Sequence, residues 1–307
     1  MIIYKYLDEK GALATLENNA VLLRTPAEFN DPFDSLFFTS DKEKDNAFKL
    51  FLNYQLFKSF YEDMVKNKKK PVRMKFLAGV IKKDIQLEAS NIKSTKIYKL
   101  QPYLSAYYKF ASKYLNKKDD ELKNQIRQMI NDVLIKIRSI ALVSCFGSSK
   151  DSLLMWSHYA NKHKGACIEY EIDDVDFKEV VYSKKMPAFR FVDALEIILG
   201  HDFLGEEVDA NKNEYQFMLE PLLVKSDDWI YEGEIRCVYT KNKPNSRIHD
   251  IEDKDGMKIL LDMPKPKKIY IGCNALPEFI KDIKEKVGDI PTVKMEIVPG
   301  EYRLEEK

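Results

Sequence analysis

Charge of one sign is what this sequence most plainly lacks. Its 50 lysines and arginines stand against 49 aspartates and glutamates over 307 residues, a formal net charge of +1. A generally basic nucleic-acid binder is therefore not indicated, and only local patches keep that role open. Histidine and cysteine are scarce, at four each. Cys145, Cys167, Cys237 and Cys273 are widely spaced, with no C-x-x-C pair, which suits reduced thiols in a cytoplasmic protein. No run of 18 apolar residues occurs, and the opening MIIYKYLDEK is too short in apolar residues for a signal peptide, so no membrane association is expected. A Gly-rich phosphate loop, G-x-S-x-G and H-E-x-x-H are all missing. So are internal repeats and low-complexity linkers.

What is present is enough apolar (45%) and aromatic (12%) content for one large core or two ordinary ones. The densest stretch is Ile140 to Ile172. Ile140 to Phe146 is an apolar run bounded by Gly147-Ser148-Ser149, which suits a strand buried on both faces. Asp151 is the expected N-cap of a helix carrying Leu153, Leu154, Trp156 and Tyr159. From Gly165, Ala166, Ile168, Tyr170 and Ile172 alternate with Cys167, Glu169 and Glu171 as in a strand.

Before this unit, Ile2 to Leu7 reads as a strand with Tyr4 and Tyr6 on one face. Asp8 caps a helix through Leu16, which Asn18-Asn19 ends, and Val21 to Leu23 is a short strand. Phe29-Asn30-Asp31-Pro32-Phe33-Asp34 is a stiff loop. Its polar residues either bond nearby backbone or face a ligand. From 41 to 139 helical spacing dominates, giving a helical insertion that separates 1–40 from 140–307. Its Lys66, Lys68, Lys69 and Lys70 form a solvated loop or touch phosphate.

After the central unit a strand is expected at Val180 to Tyr182, and helices near 192–199 and 213–224. The clearest strand is Trp229 to Thr240, with Glu232, Glu234 and Arg236 in a row on one face. Two carboxylates about 7 Å apart on one face repel unless exposed or paired. The row is either a salt-bridged face or a catalytic pair, one carboxylate holding a substrate hydroxyl and the other assisting the reaction. Further elements are expected at Ile269 to Gly272 (strand), Pro277 to Val287 (helix) and Val293 to Val298 (strand).

No metal is expected. Cys145, His158, His163 and Cys167 have suggestive spacing, but residues five apart on a helix are rotated by about 140°. The imidazoles would not converge, and metal-binding helical pairs stand four apart. His158 is a structural or a functional histidine; Trp156 and Tyr159 are core residues or a ligand platform. A Cys145–His158 nucleophile pair would need a cysteine that the pattern buries.

These strings, in this order, resemble a widespread bacterial domain family of unknown function. They are Tyr4-Lys5-Tyr6, N-D-P-F-D from Asn30, Ser144-Cys145-Phe146, M-W-S-H-Y-A from Met155, and E-x-E-x-R from Glu232. The resemblance implies a phage-defence or abortive-infection context. A second resemblance is to NAD-dependent ADP-ribosyltransferases, carried by Tyr4 or Tyr6 early, Ser144 in the middle and Glu232-Gly233-Glu234 late. The chain departs from that pattern in having no His or Arg in the first strand; Arg24 comes one strand later.

The expected fold is α+β, a split and mostly antiparallel sheet with a large helical insertion. On the enzyme reading Glu234 stabilises a developing oxocarbenium charge and Glu232 positions ribose or the acceptor. His158 supports them, and Tyr4, Tyr6, Arg24, Asn30, Asp31, Ser144, Trp156, Tyr159 and Arg236 hold NAD or another nucleotide. The alternative is a non-catalytic sensor or interaction module whose insertion binds a protein partner, with nucleic acid as a third partner class.

Overall fold

A computed structural model describes residues 1–43, 137–173, 176–189, 219–241, 245–253 and 256–307, with isolated helical positions between 124 and 135. The lysine run, nearly all of the expected insertion, the helix expected at 192–199 and the first part of the one expected at 213–224 lie outside the described residues; the described end of the latter is not α-helix but a 3-10 turn, Glu220–Leu223, set by Pro221 in its first turn and followed by extended chain from Val224. By contact density the chain divides into two units. One comprises Met1–Leu36, Lys136–Pro187 and Leu219–Lys307; the other comprises Phe37–Ile135 and Ala188–Met218. In the second, Phe37 stacks on Phe189 with ring centroids 5.7 Å apart.

The strands of the first unit are β1 (Ile2–Leu7), β2 (Ala20–Leu23), β3 (Ala141–Gly147), β4 (Ala166–Glu171), β5 (Phe177–Glu179), β6 (Val181–Tyr182), β7 (Val224–Lys225), β8 (Glu234–Thr240), β9 (Ile248–Asp253), β10 (Gly256–Asp262), β11 (Lys268–Ile271), β12 (Thr292–Ile297) and β13 (Leu304–Glu306). Eight form a mixed, mostly antiparallel sheet in the order β13-β12-β11-β4-β1-β3-β8-β5, in which only β11 and β12 are parallel. A second sheet runs β2-β10-β9, and β6 pairs with β7. With its helices the unit is α+β.

Local chemistry explains the helices. In α1 (Glu9–Asn18) the Asp8 carboxylate accepts from Gly11 N at 2.7 Å, and Asn19 closes the helix in the left-handed region at φ 48°. In α2 (Leu153–Tyr159) the cap is Ser152, whose hydroxyl accepts from Met155 N. The expected cap, Asp151, is instead exposed and paired with Lys150, because the helix begins one residue later. In α3 (Pro277–Val287) proline occupies the first turn and Phe279, Ile283 and Val287 recur every fourth residue on the buried face. Burying each of these contributes about 1.5–3 kcal/mol relative to exposure.

Alternate β1 residues feed different cores. Ile3 packs with Ala12, Phe146, Ile168, Phe279 and Ile283, while Tyr6 packs with Met155, Trp156, Cys167 and Tyr270. Among the described residues no helix is long and apolar enough to cross a membrane.

The expected strand Trp229 to Thr240 is a correction. Asp227–Glu232 is a 3-10 helix that ends at Gly233 in the left-handed region, and β8 starts only at Glu234. Ser226 accepts from Asp228 N and starts the turn. Glu232 therefore does not share a strand face with Glu234 and Arg236. Beside Gly233 stands no approaching strand but the Ser148 side chain, whose Oγ would lie 2.1 Å from an added Cβ.

Candidate active site

The eight-stranded sheet is nearly cut between β1 and β3, which pair only at Tyr4↔Gly147. Beyond that point Val143 of β3 exchanges both backbone bonds with Arg24 instead (2.9 and 2.8 Å). β1 stays on β4 through six consecutive pairs. The strands diverge, and a cavity of about 1000 Å³ opens at the split. It is lined by Tyr4, Tyr6, Arg24, Asn30, Ser144, His158, Tyr159, Glu232 and Glu234, together with Lys5, Asp34, Cys145 and Lys225.

Under one wall lies a buried charge cluster. Arg236 is 0% exposed and spends all five N–H donors. Its Nε donates to Glu234 Oε1 (2.6 Å) and Nη2 to Glu234 Oε2 (3.0 Å) and Asp34 Oδ2 (2.7 Å). Its Nη1 donates to Asp34 Oδ1 (2.9 Å) and the Leu222 carbonyl (2.7 Å). The fork matches two carboxylates at once, which a lysine could not do. Ser35, held at φ 56°, donates its hydroxyl to Asp34 Oδ1 at 2.8 Å and so orients that carboxylate. Lys225, also buried, lies 3.0 Å from Glu234 Oε2 and 3.7 Å from Asp34 Oδ2, donates to Glu232 Oε2, and sits 4.7 Å from the centre of the Trp229 ring. Glu232 Oε1 accepts from the Tyr159 hydroxyl at 2.5 Å.

The two glutamates titrate in opposite directions. Burial would raise Glu234, but the Arg236 guanidinium and the Lys225 ammonium overcome it and hold the carboxyl at about 2. Burial raises Glu232, and Lys225 offsets only part of that. Burial also opposes the charge of Lys225, yet Glu234 and Glu232 keep its pKa above the ordinary lysine value. Three carboxylates, Asp34, Glu232 and Glu234, face two cations. The cluster is one negative charge in excess when all are ionised, and of the two glutamates Glu232 more readily takes the proton.

Of the residues singled out from sequence, nine line this one cavity; Asp31, Trp156 and Arg236 do not. Asp31 accepts from Phe33 N and shapes the loop turn. Trp156 is 0% exposed, donates its indole N–H to the Lys150 carbonyl at 2.8 Å and meets the Tyr6 ring edge-on. Arg236 underlies the wall and does not face the cavity. His158 is exposed, whereas His163 stacks on Trp156 at 6.2 Å after a left-handed turn through Asn161, Lys162 and His163. The two imidazoles thus part company. Among the described residues no three His, Cys, Asp or Glu side chains are placed to hold a metal ion.

Sequence reasoning missed Lys225 and Lys5, and left Asp34 a loop residue without its partner. The one signal for Lys225 is a lone lysine ending the apolar run from Pro221. Burial makes Cys145 a poor thiolate, raising its pKa well above the usual value.

A family model described as "Protein of unknown function (DUF2971)" matches residues 155–266. The matched segment begins in α2 and ends after β10. It includes Tyr159, Lys225, Glu232, Glu234 and Arg236, but not Lys5, Asp34 or Ser144. No curated protein and no solved structure matches the chain. Over those residues the chain is similar to this family of unknown function.

Proposed function

We propose that the cavity at the sheet split binds a nucleotide glycosyl donor, with NAD as the leading candidate, and that the chain transfers or hydrolyses its glycosyl group. The observation that carries this reading is the one-charge surplus of buried carboxylate at the cavity wall. A nicotinamide riboside has a cationic ring, and its glycosidic bond breaks with the electron pair leaving on nicotinamide and positive charge developing on the sugar. Glu234, kept ionised by Arg236, opposes that charge with a fixed negative group that need not reorganise. Glu232, with its higher proton affinity, accepts a hydrogen bond from a ribose or acceptor hydroxyl and takes up its proton. Tyr159 holds Glu232 in place. The split sheet supports an ADP-ribosyltransferase-like arrangement, and the phage-defence setting implied by the sequence resemblance suits an effector that consumes or modifies a nucleotide.

A second reading is favoured by the saturation of Arg236. A guanidinium that makes five buried bonds also describes a structural lock, and the chain would then be a non-catalytic sensor or interaction module.

Incubation of the full chain with NAD, followed by chromatography of released nicotinamide, separates the two. Release that Glu232→Gln abolishes is the expected result. The enzyme reading falls if neither NAD nor any nucleotide raises the melting temperature and no nicotinamide appears.

A further inference from the structure

The cavity also carries two cationic side chains, Lys5 and Arg24, that the carboxylate cluster does not use. Lys5 leans from β1 across the split toward β3. Its Nζ donates to Ser144 Oγ at 2.8 Å and to the Cys145 carbonyl at 2.7 Å, and lies 4.8 Å from the centre of the Phe146 ring. All three partners are neutral. Two of its three N–H bonds are used, and one remains. Arg24 lines the same cavity, its backbone fixed to Val143 on the opposite lip.

Among the described residues neither Lys5 nor Arg24 has a carboxylate within ion-pair distance. The acidic residues nearest in sequence, Asp8 and Glu28, also line the cavity but are engaged by backbone N–H groups. Asp8 accepts from Gly11 N at 2.7 Å as the cap of α1, and Glu28 accepts from Thr25 N at 2.9 Å in its own turn. Burial lowers the pKa of Lys5; Cys145, Cys237 and Glu234 act in the other direction, and Arg24 lowers it further. Two cations in one cavity repel and are stabilised by an anion placed between them.

We propose that Lys5 and Arg24, with the Ser144 hydroxyl, form a subsite for the phosphate or diphosphate of the substrate in the same cavity as Glu232 and Glu234. The assignment deepens the glycosyl-donor reading. It gives the anionic bridge of a nucleotide to Lys5 and Arg24 and its cationic glycosyl end to the carboxylates. Lys5 donates its remaining N–H to a phosphate oxygen and Arg24 offers a planar fork to the same group.

Titration calorimetry of the full chain with ADP, pyrophosphate and adenosine at low salt tests it. ADP should bind at least about tenfold tighter than adenosine, as expected for charge-assisted bonds. Pyrophosphate should compete with ADP, since the phosphates and not the base are held. Arg24→Gln, at an exposed side chain, should remove about tenfold of the ADP affinity and leave adenosine binding and the melting temperature unchanged. Lys5→Gln should act in the same direction. Equal binding of ADP and adenosine overturns the subsite, as does an Arg24→Gln loss shared equally by both or an absence of binding to all three probes. A chain that discriminates ADP from adenosine but never releases nicotinamide keeps the subsite and loses the glycosyl-transfer reading. One that cleaves NAD without phosphate discrimination does the reverse.

Discussion

Glu234→Gln offers the sharpest test of the buried cluster, because it changes charge at nearly constant volume. The carboxyl is 3% exposed and accepts two bonds from Arg236 and one from Lys225. Its pKa of about 2 in the folded chain, against 4.5 for an ordinary glutamate, corresponds to about 3 kcal/mol of stability. The sign follows from the depressed folded value: the contribution is complete above pH 4.5 and is lost as pH falls toward 2. Loss of one partner of a buried pair costs about 3–5 kcal/mol where it strands a charge, but Asp34 and Glu232 still balance Arg236 and Lys225 in number. Arg236 keeps Asp34 and Lys225 keeps Glu232, so the expected loss at pH 7 is the lower figure, about 3 kcal/mol. Both tryptophans, Trp156 and Trp229, lie in the first unit, so urea unfolding followed by their fluorescence reports on the unit that holds the cluster. The midpoints of wild type and variant should lie far apart at pH 7 and draw steadily closer from pH 4.5 down to pH 3, where less than half of the difference remains. A separation that stays constant over that range would refute the account of Glu234 as an ionised, ion-paired carboxylate.

Two further outcomes follow from the backbone. Gly165→Ala should prevent stable folding of this unit, since its Cβ would fall 2.0 Å from the Leu7 carbonyl where β4 begins against β1; soluble yield and melting temperature measure this. Gly233→Ala should cost about 1–2 kcal/mol for a left-handed alanine, plus whatever moving Ser148 requires; Ser148→Gly should recover the second part and not the first in a double-variant cycle.

Legibility from sequence followed the range of the interactions. α1 and α3 were readable at nearly their true limits because Asp8, Asn19 and Pro277 act within a few residues of themselves. β8 was overextended by four residues plus the glycine, because Trp229, Tyr231 and Gly233 happen to alternate with Ile230 and Glu232. The contrary signals, Ser226 as a cap and Gly233 as a left-handed stop, were present but weaker than the alternation. The β9–β10 pairing went unread although Asp255-Gly256 is a hairpin signature; acidic residues through Asp253 diluted the period. β5 and β13 span three residues each, too few to show any period. The cluster was half visible. Glu234 and Arg236 stand two apart and suggest a pair, whereas Asp34 lies 202 residues from Arg236 and only the folded sheet brings them together.

That pairing leaves Glu232 as the residue whose presence stability alone does not explain. Asp34 and Glu234 neutralise Arg236 and Lys225, and a third buried carboxylate adds desolvation without a third cation. Its raised pKa says the same, with the sign reversed from Glu234: the folded chain favours the protonated form, so stability is lost as pH rises through the folded value. Glu232→Gln should therefore leave stability unchanged or raise it above neutral pH, where Glu234→Gln lowers it. If Glu232 is only a packing residue, the variant is at least as stable as wild type and every cellular effect of the chain survives. If Glu232 serves the reaction, the variant is equally stable and releases no nicotinamide, a stability–activity trade-off of the kind found where a charge is kept for chemistry. Thermal melts at pH 6 and 8 beside the nicotinamide assay distinguish these outcomes. A Glu232→Gln chain that melts markedly lower at pH 8 would show that Lys225 depends on this carboxylate, and would sink the assignment of Glu232 as the surplus charge.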